Sequence, residues 1–254
     1  MKYPFWVLKQ DGLRLLKGKW NPFVLSLFIP FLIYCAIFVR MFMAGGDVET
    51  LNLTAGMMLQ SEVVTLVFLF IWEFVTLGIY HQLQPDKDKT GFFGVYSFGF
   101  RYFWKLLPTV CLTLLFPTGL NLLLTYGNVD WLYDYLFFSL MPYEVYYLLL
   151  AVLSLIVQIL GLYLKYALVF APCILAEHPE YGPFLVIKES FRLSRSNKLY
   201  VFLLEFSFLG WMVLGSMAVI GVLWASIYML SARFAFYKRL TEPQEFFVEL
   251  NPMQ

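Results

Sequence analysis

The chain has 254 residues, of which 61% are hydrophobic, 20% aromatic and only 14% charged, with a formal net charge of +1 and a mean hydropathy of +0.72. A soluble domain carries about 25% charged residues, and one of this length cannot hide so much apolar surface, so a soluble fold is excluded. The net charge gains meaning only from where the charges stand along the chain.

The first segment reads as a short interfacial helix, with Phe5, Leu8, Leu15 and Leu16 on one face and Gln10, Arg14 and Lys17 opposite. An uncharged stretch between Lys19 and Arg40 then supplies the about 20 residues that a hydrocarbon core requires. This first span covers about residues 20–43. It is longer than a signal-peptide core and is followed by no Ala-x-Ala-like site, so it is expected to stay in the mature protein. Residues 63–83 form span two, interrupted by Glu73 and closed by the polar loop 84–90 with Pro85 inside it.

Phe92, Val95, Tyr96, Gly99 and Phe103 repeat the interfacial spacing. Span three follows at 106–129, between Lys105 and Asp130, and tolerates Pro108 and Pro117 because neighbouring helices satisfy freed backbone groups. Residues 145–176 carry one charge, Lys165, and are too long for one perpendicular helix and too short for two spans. They are expected to form one tilted or broken span, with breaks at Gly161 and Pro172. Phe184, Ile187 and Phe191, beside Glu189 and Arg192, make a third interfacial segment. The stretch 199–237, with Glu205 and Arg233 as its charges, is predicted to be a hairpin of spans 199–216 and 221–238 turning at Gly215 to Gly221.

These elements predict an all-α, polytopic membrane protein forming one domain over 1–254. It has six transmembrane helices in three repeated units of interfacial helix plus two spans. Under this arrangement 17 of the 18 basic residues fall on one side, and Arg40 alone falls on the other. The opposite loops carry Asp47, Glu49, Glu62, Asp130, Asp134 and Glu144. The positive-inside rule then places both termini in the cytoplasm.

Two stretches resemble a known family, the bacterial membrane proteins called domain of unknown function 975. Leu16-Lys17-Gly18-Lys19-Trp20 is similar to that family's basic Gly-Asn-Trp lead-in, with Lys19 where Asn is usual. The second stretch runs from Ser190 through Asn197-Lys198, Phe202, Leu204, Ser207-Phe208 and Gly210-Trp211, with Phe236-Tyr237 closing the last span. Tyr166, Pro172, Leu175-Ala176-Glu177 and Pro179 resemble the segment before it, and Leu160-Gly161 stands where the family has a Pro-Gly break. The resemblance implies a bacterial plasma-membrane protein and brings no established activity or site.

Charges inside a bilayer are costly unless paired or wetted, which makes Glu73, Lys165, Glu205 and Arg233 the candidate intramembrane polar cluster. The plain expectation is that Glu73 with Lys165 and Glu205 with Arg233 are structural ion pairs or snorkelling groups near the interface. The sharper alternative is a polar cavity open to the cytoplasm that binds a headgroup or ion. Gln158 and Asn121 are expected as interhelical hydrogen-bond partners, and Arg40 as an anchor. Cys35, Cys111 and Cys173 read as buried small hydrophobes, and His81 and His178 do not converge, so no metal or cofactor is expected. No nucleotide loop, nucleophile elbow or zinc motif is present, and Glu73 with Glu205 is a weak version of a two-carboxylate site. The basic segment 188–198 is expected to attract anionic lipid headgroups rather than nucleic acid. The leading expectation is a non-enzymatic structural or accessory role in the envelope, with membrane lipids and other membrane proteins as partners. A small transporter or lipid-translocating protein is the alternative.

Overall fold

The computed structural model describes residues 3–44, 55–84, 91–126, 142–217 and 221–242. All its regular elements are helical: α1 Phe5–Leu16, α2 Trp20–Ala44, α3 Ala55–Leu83, α4 Phe92–Val110, a π-helical turn at Cys111–Leu115, and α5 Phe116–Tyr126. There follow α6 Tyr143–Ala167, α7 Ala171–Glu177, α8 Pro183–Ser194, α9 Lys198–Phe206, α10 Leu209–Ser216 and α11 Gly221–Thr241. Proline punctuates them as its fixed φ and missing N–H require: Pro4 and Pro142 precede α1 and α6, and Pro183 opens α8. Between α1 and α2 the chain turns through Gly18 at φ +79°, a conformation that a side chain would strain.

Five segments are long and apolar enough to cross a membrane: Trp20–Arg40, Gln60–Leu83, Phe92–Leu124, Glu144–Glu177 and Lys198–Ser216. Their outer faces are bare of protein. Leu148, Leu155 and Ile159 on α6 and Val213 and Leu214 on α10 are all exposed, far more apolar surface than water tolerates in one place. The sixth expected span coincides with α11, which has suitable length but is not among these five. Its position explains its composition. α11 packs on α1, α2, α3, α9 and α10 and buries residues along its whole length, from Leu223 to Arg239. A helix covered by other helices along most of its length, with Trp224 as its exposed large side chain, faces little lipid and needs less apolar surface.

Three boundaries differ from expectation. The second interfacial segment is not separate: α4 continues through the π turn into α5, so surface helix and span form one rod. In a regular helix the ring of Pro117 would crowd the Thr113 carbonyl, and the wide turn just before it relieves that contact. Asn121 donates to the Pro117 carbonyl at 3.1 Å. The part of span three beyond Tyr126 lies outside the described residues.

Span four breaks at 168–170, not at Gly161. Gly161 stays helical and serves packing, since a Cβ there would meet the Pro117 ring of α5 at 2.9 Å. Pro172 sits in the first turn of α7, where it starts a helix instead of interrupting one. The carbonyl of Ala167, at the end of α6, accepts hydroxyl bonds from Ser194 at 2.5 Å and Ser190 at 3.3 Å. Those two serines stabilise the break. Span five is itself interrupted at Ser207-Phe208, where the Ser207 hydroxyl donates to the Leu204 carbonyl at 2.6 Å. α10 ends at Ser216 and α11 starts at Gly221, on either side of 218–220, which lie outside the described residues.

The tightest helix crossing is that of α3 with α4. A Cβ at Gly78 would stand 2.0 Å from the Val95 carbonyl oxygen, a backbone atom that cannot rotate away. Gly78→Ala should therefore cost about 1–3 kcal/mol or more through forced helix separation. Gly119→Ala, where nothing lies within 4 Å, should be neutral or slightly stabilising. Unfolding midpoints of the two variants in detergent check this, and equal midpoints would refute the close crossing.

Candidate functional site

The four sequence-predicted charges come from four helices. α3 carries Glu73, α6 carries Lys165 near its end, α9 carries Glu205 and α11 carries Arg233. Glu205 is the hub. Its Oε1 accepts from Arg233 Nη2, and its Oε2 accepts from the Tyr166 hydroxyl at 3.0 Å and lies 3.9 Å from Lys165 Nζ. Arg233 Nη1 also donates to the Tyr80 hydroxyl at 3.3 Å, which binds α11 to α3. The side chains of Glu205 and Arg233 are only 10% and 12% exposed, whereas Lys165 is 55% exposed and lies 5.4 Å from the Tyr166 ring.

The expected Glu205–Arg233 pair is thus present and the expected Glu73–Lys165 pair is not. Lys165 is drawn to Glu205, which both cations share, while Glu73 stays within electrostatic reach of Arg233, Lys165 and Glu205 without direct contact. One further group is left over: the buried Arg233 Nε has no hydrogen-bond partner. Asn121 does bridge helices, accepting from Ser154 of α6 at 2.7 Å. Gln158 does not; it is exposed on α6 and forms no hydrogen bond among the described residues.

Two more charge centres lie further along α11. Lys238 pairs with Glu177 at the end of α7 and with Glu242 at 2.9 Å, and the Tyr237 hydroxyl donates to Glu177 at 2.6 Å. Arg239 meets Asp11 of α1, with Nε 2.7 Å and Nη2 2.5 Å from Oδ2. This is the most deeply buried ion pair described, at 3% and 4% exposure. Lys238 and Arg239 read in the sequence only as cytoplasmic flank charges, and Asp11 was not singled out. The available signal was periodicity, since at about 100° per residue Asp11 falls on the apolar face with Leu8 and Leu15. A lone carboxylate on the buried face of an amphipathic helix requires a cation from elsewhere.

Chemically, these centres join helices that would otherwise be held by apolar contact alone. Carboxylates engaged by guanidinium, ammonium and phenol donors are not poised as a nucleophile or base. Among the described residues no cluster of three or more His, Cys, Asp or Glu side chains is placed to hold a metal ion. Cys173 is buried, Cys35 and Cys111 are half-buried, and all three are free thiols.

An all-α bundle with five membrane-span-like helices and paired charges at its centre fits an integral membrane protein. Residues 7–244, nearly the whole chain, match the family described as "Protein of unknown function (DUF975)", and the chain belongs to that family. No curated protein and no solved structure matches it. Three of the residues that carried the resemblance stand at the span-four break and the charge centres. Ser190 caps Ala167, Tyr166 holds Glu205, and Tyr237 holds Glu177.

Proposed function

We propose that the protein is a six-span, multi-pass protein of the bacterial plasma membrane with both termini in the cytoplasm. Its role is structural or accessory to other envelope components, without catalysis. The first and third units of surface helix and two spans are supported by the short helices α1 and α8 standing before α2 and α9, whereas in the second α4 runs on into its span. One observation carries the functional reading: Glu205 and Arg233, the two charges that pair directly, are committed to one another and to Tyr166 and Tyr80. A transport pathway needs groups left for cargo.

Glu73, which makes no direct ion pair among the described residues, and the exposed Lys165 are what favour the transporter alternative. Reconstitution separates the two. Vesicles containing the protein should pass labelled phospholipids and monovalent ions no faster than protein-free vesicles, and purification in mild detergent should bring a membrane-protein partner in fixed ratio. Flux abolished by Glu73→Gln would sink the accessory role. For orientation, reporters fused after Asp47, Asp130 and Met217 should register outside, and those after Asp86, Pro179 and Pro252 inside. A cytoplasmic signal at Asp130 would overturn the six-span arrangement.

A further inference from the structure

Where α3 ends, α4 begins and the α7–α8 connection passes, the surface holds a groove of about 420 Å3, within the size range of small-ligand sites. Its lining includes His81, Ser97, Phe98, Arg101, Tyr102 and Pro179. The walls are braced. The His81 ring stacks on Phe98 with centroids 3.6 Å apart, and its Nδ1 lies 3.2 Å from the Ala176 carbonyl oxygen. Gln82 exchanges two hydrogen bonds with the Gly91 backbone at 3.0 and 3.2 Å. Lys105 Nζ donates to the Pro179 carbonyl at 2.5 Å, and the Tyr102 ring lies tilted against Phe98 with centroids 4.6 Å apart.

Within this frame Arg101 is exposed and pairs with no carboxylate among the described residues, and the exposed Ser97 hydroxyl is equally uncommitted. The two stand one helical turn apart, so both reach the same space. Beside them on α4, Phe93, Phe100 and Trp104 are 83%, 73% and 70% exposed. At about 100° per residue these three aromatics fall within a sector of roughly 40°, flanked directly by Ser97 and then Arg101. An anion-binding groove thus adjoins an apolar, aromatic stripe of the kind that settles at headgroup level. That is the pattern of an amphiphile, with a phosphate for the guanidinium and acyl chains beside the rings.

We propose that this groove is a specific site for the headgroup of an anionic phospholipid, with Arg101 and Ser97 holding the phosphate. The proposal rests on the reading of the chain as a membrane protein and goes beyond diffuse attraction of basic residues to the surface. The test titrates the full-length protein in neutral detergent with short-chain phosphatidylglycerol, short-chain phosphatidylcholine and inorganic phosphate. Phosphatidylglycerol should bind about tenfold more tightly than phosphatidylcholine, because both offer a phosphate but the choline ammonium offsets its charge and repels the guanidinium. Arg101→Gln should abolish that preference, and Ser97→Phe should block the groove sterically. Arg195→Gln, which removes an exposed arginine elsewhere, should leave the preference intact. Neither side chain at 97 or 101 supports the fold, so unfolding midpoints should stay unchanged. Equal losses from Arg101→Gln and Arg195→Gln would reduce the effect to diffuse attraction and overturn the site. So would inorganic phosphate binding as tightly as the lipid. Lost preference in Arg101→Gln supports the groove whichever face the reporters assign, and unchanged preference overturns it even where residues 86 and 179 register inside.

Discussion

Asp11→Ala should produce the largest single loss of stability in the molecule, about 3–5 kcal/mol, as for other buried ion pairs broken on one side. The Asp11 carboxylate is 4% exposed and accepts both Nε and Nη2 of Arg239. Its removal leaves a guanidinium within the bundle without the carboxylate it faces. Arg14, at 4.0 Å and half exposed, is too distant and too wet to hold the Asp11 charge in place. The effect reaches beyond one contact, because the pair ties α1 to α11, elements separated by almost the whole chain. The test is a thermal-unfolding midpoint in detergent for Asp11→Ala, Arg239→Met and the double variant Asp11→Leu/Arg239→Met. The double variant should be more stable than either single one, since apolar groups of similar volume replace a buried pair at little cost. A single-variant loss under about 1 kcal/mol, the worth of a surface pair, would show that the pair is wet.

The long helices were legible because ionised side chains cannot enter a hydrocarbon core cheaply, so the charges of the chain mark where its apolar runs stop. Arg40 and Lys105 bound apolar runs for that reason, although the helices themselves run past them, α2 on to Ala44 and α4 back to Phe92. The same rule misjudges a helix with no lipid contact. α11 tolerates Arg233, Lys238 and Arg239 because protein covers that end of it and supplies a carboxylate to each. Breaks were harder to place. Gly161 and Pro172 have the composition of a break, but the partner decides: Gly161 receives Pro117, and the chain bends at 168–170, where Ser190 and Ser194 reach the buried Ala167 carbonyl. Those serines lie more than twenty residues on, beyond any local signal. The Glu205–Arg233 pair was readable from depth alone. The error over Lys165 arose because depth along a span says nothing of which face its side chain shares.

That pair yields the second large effect. Span five enters near Lys198 and α11 ends just past Lys238, so Glu205 and Arg233 differ in depth by only roughly 3 Å at 1.5 Å rise per residue. Glu205 receives Arg233, Tyr166 and the more distant Lys165, so Glu205→Gln removes the acceptor charge for two cations at once. Arg233, at 12% exposure, then keeps the Tyr80 hydroxyl, a neutral amide oxygen at position 205 and the more distant Glu73 charge but no carboxylate in contact, whereas the exposed Lys165 ammonium swings into solvent or headgroups. The loss should therefore approach the 3–5 kcal/mol of a broken buried pair on the Arg233 side, with about 1 kcal/mol or less from Lys165. Arg233→Gln should cost somewhat less, because Lys165 and Tyr166 still compensate Glu205. The exchange Glu205→Arg/Arg233→Glu should recover part of either loss, though not all, since Tyr80 and Tyr166 are placed for the native polarity. Unfolding midpoints of the two Gln variants, of the two single charge reversals and of the exchange settle it through the coupling energy. Additive losses would mean that the two charges do not interact, and would return Glu205 to the pool of groups available for a cargo.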